Sequence, residues 1–163
     1  VGNAGSTGIA ITADGIVNMA AQPAVFARNS STDANVTGNG ATVTGVDFDT
    51  EIFDQNADFA SDVFTAPVTG RYMVAYSISL QELTSAANTL DCILAISNRN
   101  LHLPRPAYAN FSPGRNSFQG AMLVDLDAAD TARVNVTVHG ESSDIVDILG
   151  GTSETWFSIF LVA

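Results

Sequence analysis

The chain contains no lysine. Six arginines carry all the positive side-chain charge against seventeen Asp and Glu, for a formal net charge of −11. A nucleic-acid binder needs a basic footprint to neutralise phosphates, and this chain has none. An anionic membrane surface is disfavoured for the same reason. Such a balance suits high salt or divalent cations, with plain solubility as the simpler explanation. Cysteine is nearly absent too. Cys92 stands alone and can form no internal disulfide; a core of this size needs none. It alternates with Leu94 and Ile96, which marks a buried thiol and not a nucleophile. With two histidines, His102 and His139, and one cysteine, zinc lacks its ligands. No nucleophile elbow, zinc-protease motif or P-loop occurs, so no catalytic constellation assembles and no enzyme is expected. No apolar run reaches transmembrane length, and no secretory signal is present. The sequence begins at Val1, not Met, and reads as a fragment or a processed product.

What is present is a globular composition, 46% hydrophobic against 14% charged, enough for one domain with a short appendage. Residues 1–21 form that appendage. They are small, Gly-rich and uncharged apart from Asp14. GIAIT and GIVNM are β-prone pieces joined at Asp14-Gly15, a hairpin signal. Such a piece cannot bury a core alone. It resembles the short β-repeats that lead into the globular tips of phage fibres; a disordered leader is the competing expectation.

Residues 22–163 form the main domain. Strands are predicted from Pro23, at Asn35 to Thr37, Ala41 to Thr44, Val46 to Asp49 and Gly70 to Leu80. More follow at Leu90 to Ser97, Phe118 to Leu126, Ala132 to Val138, Ile145 to Leu149 and Thr155 to Val162. The clearest is the fifth, where Tyr72, Val74, Tyr76, Ile78 and Leu80 alternate with Arg71, Met73, Ala75, Ser77 and Ser79. Pro67 and Gly70 bracket a turn feeding it. Asn98 to Asn116 is the least regular segment, with three of the five prolines. Helical periodicity is missing. About eight to ten strands separated by turn signals predict an all-β, antiparallel sandwich.

Two segments resemble the C1q/TNF-like jelly-roll family. Phe48, Asp54 and Phe59, then Phe64, Gly70, Tyr72 and Tyr76, follow its aromatic signature; FTAPVTGRY carries its Phe, Pro, Gly-x-Tyr order. The end, TWFSIFLVA, resembles its last strand. Departures are the short spacer between Phe59 and Phe64, Val74 where the family prefers Phe, Ile159 for a Gly, and Ala129-Asp130 for a Gly-Asp turn. The resemblance implies a C1q/TNF-like jelly roll over Pro23 to Ala163.

One face of a sandwich strand should be polar. Thr155 to Val162 departs from this, with Phe157, Ile159 and Leu161 on one side and Trp156, Phe160 and Val162 on the other. Gly70 to Leu80 shows Met73, Ala75 and serines on its second side. A second buried surface is therefore expected. In the family these strands sit in the inner sheet around a threefold axis, so the resemblance implies a homotrimer with Met73, Ala75, Trp156, Phe160 and Val162 in the interface. The competing expectation is that residues 1–20 cover Trp156 or Phe160.

Asp54, Asn56 and Asp58 form D-x-N-x-D, and Asp125, Asp127 and Asp130 form D-x-D-x-x-D. Alternate oxygen ligands can wrap calcium. Neither loop continues as an EF-hand, so solvated turn aspartates are favoured and no cofactor is required. The Asn98 to Asn116 loop is the expected ligand site, with Arg105, Tyr108, Phe111 and Arg115 as groups suited to sugars or acidic partners.

The expected function is the trimeric, non-enzymatic head of a phage or other viral surface or tail-fibre protein. It would sit on the virion surface beside other virion or fibre subunits and bind a host glycan or protein. The alternatives are a capsid decoration (cement) protein or a secreted, extracellular C1q-like ligand.

Overall fold

A computed structural model describes residues 8–102, 113–151 and 154–163. Among them every regular element is a strand, and no helix is long and apolar enough to cross a membrane. β1 (Ala10–Ile11) and β2 (Val17–Asn18) form a hairpin at the predicted place. Its turn needs a positive φ, and Gly15 supplies one of 78°.

The remaining strands form two antiparallel sheets. Sheet one has β10 (Thr89–Ile96) between β11 (Arg99–His102) and β13 (Thr131–His139). The far edge of β13 carries β5 (Thr42–Thr44) and β8 (Val63–Thr65), with β7 (Phe59–Ala60) beyond β8. Sheet two is built on β9 (Gly70–Leu83). One edge of β9 pairs along its length with β12 (Gly114–Leu126). The other edge is shared by β15 (Trp156–Leu161), opposite Tyr72 to Ser77, and β14 (Val146–Ile148), opposite Leu80 and Gln81. Beyond β15 lie β3 (Ala24–Arg28) and β6 (Thr50–Gln55), and beyond β14 lies β4 (Asp33–Thr37).

The period-two pattern of β9 sends Tyr72, Val74, Tyr76, Ile78 and Leu80 into the space between the sheets, where all are buried. They meet Cys92, Leu94 and Ile96 of β10 and Val134, Val136 and Val138 of β13 in one core. Phe157 of β15 lies 5.7 Å from both Phe48 and Phe59, ring centre to ring centre, and Phe64 stands edge-on to Tyr72 at 5.5 Å. Gly70 is fixed by the chain end: a Cβ there would meet Leu161 Cδ1 at 2.6 Å and the Ala163 carbonyl oxygen at 2.8 Å.

Three expectations need correction. Val46 to Asp49 is no strand. Its alternation is real, with Val46 and Phe48 buried. However, the Phe48 N–H donates to the Asp62 carboxylate (2.8 Å) and the Val46 N–H to the Val134 carbonyl, so no ladder forms. Thr50–Gln55 is a strand instead, on the sheet edge with a bulge opposite Phe26 and Ala27. Within the irregular Asn98 to Asn116 segment, β11 is a regular edge strand.

Candidate functional site

The face of sheet two that points away from the core is the most distinctive surface. Residues directly opposite in antiparallel strands share a face, so the register gives its rows. Leu123, Met73, Phe160, Ala24 and Gln55 lie side by side. The next row is Ala121, Ala75, Ser158, Phe26 and Phe53. The third is Gln119, Ser77, Trp156, Arg28 and Thr50. Across three rows and five strands Arg28 is the single charged residue, in a chain of net charge −11. Leu123 is 53% exposed, Phe53 50% and Phe160 45%. Soluble chains rarely leave such a patch bare.

All five residues expected in an interface lie on or beside this face. Met73 and Ala75 are half-buried, and Phe160 and Val162 are exposed. Trp156 is half-buried because its ring stands edge-on to Phe26 at 6.0 Å, and Phe26 in turn meets Phe53 at 6.1 Å. Sequence reasoning missed Phe26, Phe53 and Leu123. For Leu123 a signal existed: Phe118, Gly120, Met122, Val124 and Leu126 alternate with a side holding only one charge after Arg115, Asp125.

The β1–β2 hairpin stands beside this face without covering it. Gln55 Nε2 donates to the Met19 carbonyl and Asn56 Nδ2 to the Ala21 carbonyl, both at 2.9 Å. Gln22 Nε2 donates to the Leu161 carbonyl at 2.6 Å. Between hairpin and sheet runs an open groove of about 530 Å³, walled by Ile16, Val17 and Met19 on one side and Ala24, Phe53 and Phe160 on the other. The described part of the leader therefore does not bury Phe160.

The acidic loops are used locally. The Asp54 carboxylate accepts the N–H groups of Asp58 (3.0 Å) and Phe59 (2.9 Å), closing its own turn. Asp125 pairs with Arg99 at 2.6 Å, and Asp130 accepts the Asp127 N–H at 3.0 Å. Among the described residues no group of three or more His, Cys, Asp or Glu is placed to hold a metal. Asp54, Asp58, Asp125, Asp127 and Asp130 are not brought together in such a group. Burial raises the Asp58 pKa, with the Asp54 charge adding to it. Burial likewise raises Asp33 and Asp47, helped by mutual repulsion with Asp49 and Asp62. Asp49 is lowered, first by the hydrogen bond from the Ser30 hydroxyl.

Of the expected ligand-binding residues, Arg105, Tyr108 and Phe111 lie outside the described residues. Arg115 stands exposed on β12, where Nη1 donates to Glu154 at 3.0 and 3.2 Å. Its charge is already partnered.

Searches by sequence give no match among family models or curated proteins. Comparison of structures does. The chain is similar to the globular domain of zebrafish complement 1qA protein, with TM-score 0.57 and 17% identity over 87% of this chain and 98% of that one. It is similar also to murine APRIL, with TM-score 0.58 and 13% identity over 86% and 99%. The fold is the C1q/TNF-like jelly roll. At these identities the likeness speaks for architecture: two antiparallel sheets with the last strand, β15, set between β3 and β9.

Proposed function

We propose that this chain is the homotrimeric, non-enzymatic head of a phage or other viral surface or tail-fibre protein, and that it binds a host-surface glycan or protein. The observation that carries the assembly is the largely apolar outer face of sheet two, charged only at Arg28 in its three rows, with Leu123, Phe53 and Phe160 about half exposed. Two copies of a chain with net charge −11 repel wherever their acidic surfaces meet. Across this face they do not, and apolar area leaves water. Closure as a trimer is supported by the fold likeness, since β9 and β15 are the strands that line the threefold axis in the C1q/TNF-like family. The extended β-hairpin leader and the disulfide-free core support a place on a fibre or virion.

A trimer presents three equal sites, so weak contacts gain avidity when all can engage. Light scattering on the purified chain should give three times 17.0 kDa, and Phe160→Glu should give the monomer, because the interface would bury an unpaired charge. Soluble trimer should block attachment of its parent particle to host cells. Binding to naked particles while host cells are ignored would favour a decoration role; binding to a cellular receptor would favour a secreted ligand. A wild-type monomer at all concentrations would sink the assembly.

A further inference from the structure

We propose that the groove between the β1–β2 hairpin and sheet two is the socket for the β12 edge of a second copy of this chain, with Leu123 as the inserted residue. The inference rests on the homotrimer of the preceding section and names which surfaces meet in it.

The hairpin itself is the first argument. Ile11 is 72% exposed, and Ile9, Ile16 and Val17 are more than half exposed. A free two-stranded hairpin is marginal in water, and this one is tied to the body mainly at its base, by the Gln55 and Asn56 amides. It therefore gains a second apolar wall only if something enters the groove. The second argument is charge. The groove walls carry no ionised side chain, whereas the chain as a whole is strongly acidic. A copy of this chain can approach closely here and is repelled over most of its remaining surface.

The third argument is position. The groove opens at the β6 margin of the outer face, beside Phe53 and Phe160. Leu123 projects from the opposite margin, on β12, in the same row as Met73 and Phe160. A hole on one margin and an exposed residue on the other are different patches, and their pairing is heterologous. A heterologous contact repeated head to tail gives a ring where its rotation closes and an open filament where it does not, whereas two copies pairing the same patch would stop at a dimer.

The test is a cysteine pair in the full chain, Ile16→Cys with Leu123→Cys. Cys92 is buried and stays out of the chemistry. Mild oxidation of the native protein should yield covalent dimers and trimers on a non-reducing gel, and neither single variant should do so. Independently, removing residues 1–21 should raise the concentration at which the trimer dissociates by about tenfold or more, and Leu123→Asp should do the same while circular dichroism keeps the strand signature. A trimer that neither cross-links through this pair nor weakens on removal of the leader would overturn the socket and leave the trimer standing. A wild-type monomer in light scattering would overturn both.

Discussion

The buried Tyr76 hydroxyl makes no hydrogen bond of normal geometry to an oxygen or nitrogen; it lies against the Cys92 thiol, a weak partner. Tyr72, on the same face of the same strand, donates to the Val68 carbonyl at 2.7 Å. The two tyrosines should answer differently to loss of the hydroxyl. Tyr76→Phe should leave stability unchanged or slightly higher in urea unfolding, while Tyr72→Phe should cost about 1 kcal/mol. Beside Tyr76, burial pushes the Cys92 thiol up to about 12. At pH 8 the thiolate is scarce and enclosed, so iodoacetamide should leave the native chain unmodified and add one group per chain in urea, as read by mass spectrometry. That Cys92 is buried was legible from its alternation with Leu94 and Ile96. That the Tyr76 hydroxyl meets only a thiol was not, because a strand pattern says which way a side chain points and nothing of what faces it.

Among the elements, the strands whose burial alternates were readable and the edge strands were not. β9, β10 and β13 lie where their patterns put them. Thr50–Gln55 escaped because an edge strand beside an exposed face shows no alternation: Glu51, Ile52 and Phe53 are all exposed. The apolar second side of β15 was legible as a surface needing cover; the groove beside it was not, since it depends on where the hairpin lands. Turns carry a related lesson. At the β12–β13 turn Ala129 takes a φ of 72°, the position where the resembling family has glycine. Left-handed backbone strains an L-residue, and the greater freedom of an unfolded glycine offsets only part of the relief. Ala129→Gly should therefore stabilise the domain by about 0.5–1 kcal/mol, read as a shift of the urea midpoint. Phe157→Ala should act the opposite way, by about 3–5 kcal/mol, since it empties the space between Phe48 and Phe59.

For the whole molecule, the acidic balance sets the pH response. Asp33, Asp47 and Asp58 have folded-state pKa values raised by burial and by neighbouring carboxylates. A raised carboxyl holds its proton more tightly when folded. Its contribution to stability is present below the unfolded pKa and is lost as pH rises through the folded pKa. Asp49, lowered by Ser30, acts in the reverse sense. Asp47→Asn should thus stabilise the domain at pH 7 and bring no gain at pH 3, a difference that urea midpoints at the two pH values will show. The topology has a consequence in time as well as in space. The strand at the heart of sheet two, between β3 and β9, comes last in sequence among the described strands. Until a ribosome releases Trp156–Leu161, β3 and the lower half of β9 have open edges and no partner for each other. Sheet two cannot close before that strand emerges, and a nascent chain stalled with Trp156–Leu161 still inside the ribosome should remain open to proteases that spare the folded domain.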